Sequence, residues 1–212
     1  VHVRTYGLFE SAIAERLADI DSGGALRDPD VTLGYRAMFP EVEVKVFARG
    51  RDAGDAQARA ERVAQQVRER LREFAYGGQG ERYPQYVAGL LERARVKVAL
   101  AESCTGGLVA KLLTDIAGSS AYVIGGAVAY ANSAKVRMLG VEPALLDKHG
   151  AVSEPVAGAM AEGILRALDV DLAFGISGIA GPGGGTADKP VGTVCFGLAR
   201  RNGATTTNTE RF

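Results

Sequence analysis

Residues 96–107 read VKVALAESCTGG, an apolar run that ends in glutamate, small polar residues and two glycines. Apolar side chains recur at positions 108, 112, 113 and 116, which is the spacing of an amphipathic helix. A strand that leads directly into a helix places Ser103 and Thr105 at the helix N-terminus, where free backbone N–H groups and the helix dipole favour negative charge. Ser103 is therefore a candidate nucleophile whose neighbouring N–H groups can hold an oxyanion or a phosphate. The alternative is that Ser103 or Thr105 only caps the helix.

Strands and helices continue to alternate on both sides of this segment. Further strands are predicted at residues 122–130, 172–176 and 193–199, and helices at residues 84–95 and 153–168. Ser153 is expected to cap the last of these helices. The order predicts an α/β domain with a mainly parallel sheet, whose functional site lies at the carboxyl ends of the strands.

A second segment with candidate catalytic residues reads YANSAK, from Tyr130 to Lys135, and follows a predicted strand. A nucleophilic serine without a histidine partner needs another base, and a lysine whose pKa is lowered by burial can serve. The hydroxyl of Tyr130 would relay the proton. Taken alone, Lys135 also fits a surface lysine and Tyr130 a core aromatic.

A third segment, residues 177–186, reads SGIAGPGGGT and is rich in glycine. Such a loop suits hydrogen bonding between the backbone and a ligand or its phosphate. It lacks the Gly-Lys-Ser/Thr of a P-loop and the final glycine of a nucleophile elbow. The alternative is a tight turn between two strands.

The first 76 residues predict a smaller βαββα unit. Its strands are expected at residues 2–6, 31–38 and 41–48, its helices at 11–20 and 55–74, and a turn at 21–30. Arginines in the second helix interleave with acidic residues, which favours a solvated face over a nucleic-acid surface. A linker is expected at residues 77–84, where a Gly-x-x-Gly form follows the helices instead of joining two of them, so nucleic-acid binding is not expected.

Composition excludes several classes of protein. Among 212 residues, 25 Lys and Arg balance 25 Asp and Glu, so no net field attracts nucleic acid or a membrane. Apolar runs are too short for a membrane span, and two cysteines suit a reducing cytoplasm. No cluster has metal-ligand spacing, so no metal is expected. The chain runs from Val1 to Phe212, and we expect it to be a piece of a longer protein whose last domain is truncated.

Together, these motifs resemble the C-terminal domain of the CinA family, the bacterial nicotinamide mononucleotide deamidases. The similar stretches are residues 101–107, 118–120, 130–135, 150–154, 177–185 and 189–193. This resemblance covers roughly residues 85–212, and residues 1–76 resemble the KH-like middle domain of the same family.

The resemblance implies an amidohydrolase that converts nicotinamide mononucleotide and water to nicotinate mononucleotide and ammonia, with no cofactor. It implies Ser103 as the nucleophile, Lys135 as the base and Tyr130 as an assisting group. The residues implied to bind substrate or the oxyanion are Thr105, Gly106, Ser120, Ser177 and Gly178.

Two other functions remain open at this point. Cys104 would be the nucleophile in a thiol amidohydrolase. Alternatively, the chain is a non-catalytic regulatory module that binds partners in competence or the DNA-damage response. The joint presence of Ser103, Tyr130 and Lys135 favours catalysis, and we expect a homo-oligomer such as a dimer.

Overall fold

The structure is a computed structural model that describes residues 1–21, 27–38 and 40–212. Two compact units divide the chain, Val1–Val87 and Ala88–Phe212. The division falls after the linker predicted at residues 77–84, and part of the turn predicted at residues 21–30 lies outside the described residues. In the part of the chain that the structure describes, every helix is too short or too polar to cross a membrane.

The first unit packs helices on an antiparallel sheet. Its elements are β1 (His2–Tyr6), α1 (Glu10–Arg16), α2 (Ala18–Asp21), β2 (Val31–Met38), β3 (Glu41–Ala48) and α3 (Ala53–Leu71), followed by a 3-10 turn at Arg72–Phe74. The strand order is β1-β3-β2. The three strands have the predicted bounds, whereas the helix predicted at residues 11–20 divides at Leu17, whose fully buried side chain joins the core.

Three of the four arginines of α3 are paired with acidic side chains; they are Arg59, Arg62 and Arg70. Arg59 contacts Asp28 at 2.9 Å, and Arg70 contacts Asp19 at 2.7 Å. The contact with Arg70 lowers the pKa of Asp19, mainly through its hydrogen bond. The arrangement agrees with the expectation of a solvated, locally neutral helix face.

The second unit contains the remaining elements. These are α4 (Tyr83–Ala94), which starts in the first unit, β4 (Val98–Glu102), α5 (Leu108–Thr114), β5 (Val123–Val128), α6 (Asn132–Leu139), α7 (Pro143–His149), α8 (Glu154–Leu168), β6 (Leu172–Gly178), β7 (Thr193–Arg200) and β8 (Gly203–Arg211). Each predicted strand and helix of this region has a counterpart, and the α/β class is confirmed.

The sheet of the second unit is mixed, where the sequence predicted a mainly parallel one. Its order is β5-β4-β6-β7-β8. Strand β4 is parallel to β5 and β6, but the β6–β7 and β7–β8 pairs are antiparallel. No helix joins β6 to β7 or β7 to β8, and a parallel return needs a crossover connection.

Strand β8 was not predicted because its sequence lacks alternating apolar residues. Threonines of the strand contact α8: Thr207 and Thr209 donate hydrogen bonds to the carboxylate of Glu154 at 2.7 and 2.9 Å. These bonds lower the pKa of Glu154. The strand therefore depends on tertiary contacts with a helix that lies far from it in sequence.

Helix α8 lies close against one face of this sheet, where Val156, Met160 and Ile164 enter the core. A Cβ at Gly197 would lie 2.5 Å from the Ala157 carbonyl oxygen, so only glycine permits this approach.

Ser153 occupies the N-cap position as predicted, but its hydroxyl does not cap the helix. It donates instead to the carbonyl of Gly150 at 2.9 Å.

Candidate active site

The predicted site lies at the edge of the sheet where the parallel strands β4, β5 and β6 end side by side. The backbone N–H of Ser103 donates to Ile176 O of β6 at 3.0 Å, and the N–H of Ala129 donates to Glu102 O at 2.8 Å. Ser103 therefore leaves the sheet between its two parallel neighbours. Its side chain is buried, with 7% of the residue exposed.

Lys135 lies in α6, and its amine reaches Ser103. Its Nζ lies 3.0 Å from Ser103 Oγ and also donates to the carbonyl oxygens of Ala129 and Tyr130, both at 3.0 Å. These two carbonyls belong to the segment that joins β5 to α6. The residue is 1% exposed, so the structure brings the predicted nucleophile and base together inside the protein.

The surroundings of Lys135 make its neutral form more accessible than that of an ordinary lysine. Burial lowers the pKa of Lys135 from its ordinary value of 10.5, and the nearby Cys104 thiol acts in the opposite direction. A neutral amine has two N–H groups and one lone pair. As an ammonium, Lys135 donates to the Ser103 hydroxyl oxygen and to the carbonyls of Ala129 and Tyr130. Carbonyl oxygens can only accept, so when the amine is neutral its two N–H groups can stay with these carbonyls while its lone pair faces the Ser103 hydroxyl.

Tyr130 contributes its main chain to this site. Its carbonyl oxygen accepts a hydrogen bond from Lys135, while 73% of the residue is exposed. The side chain is therefore at the surface, and no hydrogen bond in the described structure joins its hydroxyl to Ser103 or Lys135. Assistance by its hydroxyl remains a prediction.

Cys104 follows Ser103 and is half-buried. Burial raises the pKa of its thiol and outweighs the opposite effects of nearby backbone N–H groups and of Lys135. A Cβ at Gly178 would lie 2.9 Å from Cys104 Sγ, so the glycine at the end of β6 permits β4 and β6 to carry these residues side by side.

The other predicted binding residues differ in their surroundings. The Thr105 hydroxyl oxygen is buried and makes no hydrogen bond to the described residues, while Gly106 is exposed with φ +61°. Ser120 is exposed in a 3-10 turn, Ser119–Ala121, and no hydrogen bond in the described structure joins it to Ser103 or Lys135. Their binding roles remain predictions.

The Ser177 hydroxyl is hydrogen-bonded to the main chain. Its hydroxyl donates to Ala151 O at 2.7 Å, and Lys189 Nζ donates to the carbonyls of His149 and Val152 at 2.9 and 2.7 Å. The glycine-rich loop is thereby attached to the turn between α7 and α8. Ser177 begins the predicted ligand-binding segment, and Lys189 lies three residues after its end.

Glu102 is a site residue that sequence reasoning missed. Its carboxylate is buried and accepts hydrogen bonds from the backbone N–H groups of Val109 and Ala110 at 3.1 and 2.8 Å. Two donors of the α5 N-terminus, expected to be free for a ligand, are therefore occupied. The only signal in the sequence was a charged residue at the end of an apolar strand.

No cluster of three or more His, Cys, Asp or Glu side chains suited to a metal ion occurs among residues 1–21, 27–38 and 40–212. The buried pair of Ser103 and Lys135 offers nucleophilic and proton-transfer chemistry from side chains alone.

Comparison with known proteins relates both parts of the chain to one family. The family model described as the CinA C-terminal domain matches residues 81–212, and the one described as the damage-inducible protein CinA KH domain matches residues 2–77.

Similar proteins and solved structures carry related names. A putative competence-damage inducible protein from Symbiobacterium thermophilum is 48% identical over 94% of this chain and 46% of its own length. A CinA-like protein from Mycobacterium marinum is 46% identical over 99% of this chain and 48% of its own length. The chain thus spans about half the length of the curated relatives it matches.

The crystal structure of a competence/damage inducible protein from Agrobacterium tumefaciens shares 45% identity and a TM-score of 0.59, covering 61% of this chain and 78% of that one. A CinA superfamily protein from Escherichia coli shares 32% identity and a TM-score of 0.58, covering 61% and 74%. The chain belongs to the CinA family, with a CinA KH domain followed by a CinA C-terminal domain.

Proposed function

We propose that the second unit is an amidohydrolase that converts nicotinamide mononucleotide and water to nicotinate mononucleotide and ammonia. The substrate comes from the resemblance of its motifs to the CinA deamidases. The chemistry is supported by one observation above all, the buried Lys135 amine 3.0 Å from the Ser103 hydroxyl oxygen.

The first half of the reaction transfers the acyl group to the protein. The neutral Lys135 amine takes the proton of the Ser103 hydroxyl as Oγ adds to the carboxamide carbon. The C–N bond then breaks, and the Lys135 ammonium returns its proton to the departing nitrogen. Ammonia leaves, and an ester on Ser103 remains.

The second half hydrolyses this ester. A water molecule gives a proton to the same amine and attacks the ester carbon, and the proton then returns to Ser103 Oγ as the carboxylic acid leaves. The carbonyls of Ala129 and Tyr130 accept hydrogen bonds from the Lys135 amine in both of its protonation states. They keep Nζ directed at Ser103 throughout the cycle.

Among the other predicted binding residues, Thr105 is supported by its buried hydroxyl, which has no partner among the described residues. A buried hydroxyl without a partner is unfavourable, and a substrate oxygen would satisfy it. Ser120 and Gly106 are exposed and open to a ligand, whereas the buried Ser177 hydroxyl is already bonded to Ala151 O and gives a binding role no support.

The thiol alternative is less well supported. The nucleophile in such an enzyme is a thiolate, and burial raises the pKa of Cys104, which disfavours that form. Serine is therefore the better candidate nucleophile in this site.

The experiment is to measure ammonia release from nicotinamide mononucleotide by the full-length protein and by its Ser103→Ala variant. The variant should lose about three orders of magnitude or more in kcat, because a methyl group cannot attack the amide. Ser11→Ala, which changes an exposed serine of the first unit, is the matched control and should leave the rate unchanged. If the full-length protein releases no ammonia, the chain is better explained as a non-catalytic binding module.

A further inference from the structure

Glu102 is the last residue of β4 and directly precedes Ser103. Only 1% of it is exposed, and a buried carboxylate is costly unless hydrogen bonds replace its water. Oε2 accepts from the N–H of Val109 at 3.1 Å, and Oε1 accepts from the N–H of Ala110 at 2.8 Å. The positive end of the α5 dipole favours the same charge.

These two bonds close a loop around the nucleophile. Glu102 ends the strand, and Val109 and Ala110 lie in the first turn of the helix, so the carboxylate ties together the two ends of residues 103–108. Within that segment, Gly106 and Gly107 have φ of +61° and +97°. Glycines permit many backbone conformations, and the carboxylate adds a constraint to the two hydrogen bonds within the turn, from Gly106 N–H to Ser103 O and from Leu108 N–H to Thr105 O.

We propose that Glu102 is a positioning residue that fixes the Ser103 hydroxyl against the Lys135 amine. The proposal rests on the proposed function, since it assumes that Ser103 is the nucleophile. Glu102 does not touch the reacting atoms. It acts through the turn: the Ser103 N–H is fixed to Ile176 O, but a shift of the α5 N-terminus would rotate the Ser103 hydroxyl away from an amine whose carbonyl partners, Ala129 and Tyr130, lie outside the turn.

The test measures the reactivity of Ser103 without the natural substrate. A fluorophosphonate phosphonylates an activated serine: Oγ displaces fluoride from phosphorus, and its proton passes to the base. The rate of labelling at Ser103, located by mass spectrometry, is measured against pH for the full chain. The variants are Glu102→Gln, which removes the charge at constant size, and Glu102→Asp, which keeps the charge but shortens the reach.

Both variants should label at least about tenfold more slowly at every pH, because misplacing a reacting group by about 1 Å costs up to a hundredfold in rate. The inflection of the pH profile, which reports Lys135, should stay where it is in the wild type. Amide hydrogen exchange should become faster in residues 103–110.

The matched control is Asp52→Ala. Asp52 accepts a hydrogen bond from the N–H of Asp55 at 2.8 Å and caps α3 in the first unit. This variant also loses a hydrogen bond between a carboxylate and a backbone N–H at a helix N-terminus, so it should be less stable. Its labelling of Ser103 should nevertheless stay within about twofold of wild type.

The proposal is overturned if folded Glu102→Gln or Glu102→Asp labels at the wild-type rate. An unreactive wild-type Ser103 would instead refute the proposed function. In that case, amide hydrogen exchange in residues 103–110 still tests the role of Glu102. Unchanged exchange in both variants would show that the carboxylate does not fix the turn.

Discussion

Replacing Lys135 by methionine tests the proposed base directly. The substitution keeps an unbranched side chain of similar length in a site that is 1% exposed, and it removes the amine that lies 3.0 Å from Ser103 Oγ. A positioned general base contributes about 10²–10⁴-fold to a rate. That range corresponds to about 3–5 kcal/mol of barrier, so Lys135→Met should lose between two and four orders of magnitude in kcat.

The assay is ammonia release from nicotinamide mononucleotide, measured over a range of pH. The amine acts as a base only when neutral, so the wild-type rate should rise as pH increases through the pKa of Lys135. Because burial lowers that pKa, the midpoint of the rise should lie below the ordinary lysine value of 10.5. The rise should be absent from the residual activity of Lys135→Met.

The control is Lys111→Met, which removes an exposed lysine of α5 that pairs with Asp115. It should keep the wild-type rate and pH profile. A Lys135→Met variant that folds and keeps more than about a tenth of the wild-type rate would refute the assignment of Lys135 as base.

Three further outcomes are expected. Cys104→Ser should keep most of the deamidase activity that Ser103→Ala loses, and the reverse result would make the thiol the nucleophile. Gly175→Ala should lower the free energy of unfolding by about 1–3 kcal/mol, because its Cβ would overlap the Ala157 carbonyl oxygen and lie 2.7 Å from a backbone nitrogen of α8. The control is Gly183→Ala, whose Cβ would lie in open space, and it should unfold at the wild-type denaturant midpoint. Activity should survive treatment with a chelator, and a loss that added divalent ions reverse would contradict a metal-free mechanism.

Much of the fold could be predicted from local patterns. The strands at residues 31–38 and 41–48 and the helix ending at Leu168 were found because period-two and period-3.6 repeats mark a half-buried element whatever its partner. The direction of β7 and the existence of β8 could not be found in this way. Pairing direction depends on whether a helix crosses back over the sheet, and β8 is held by Glu154 and Glu162 of α8.

For the site, the sequence alone determined which residue types are present at the ends of strands, including Ser103 after β4 and Lys135 after β5. Whether an amine reaches a hydroxyl 32 positions earlier was decided only by the tertiary structure, which places β4 and β5 side by side and buries both groups. The same holds for Glu102. A charged residue at the end of an apolar strand predicts nothing specific, and only the return of α5 over that strand brings two backbone donors to its carboxylate. Local sequence sets the backbone period and the chemistry of each side chain, while burial, hydrogen-bond partners and pKa depend on groups that only the folded chain brings together.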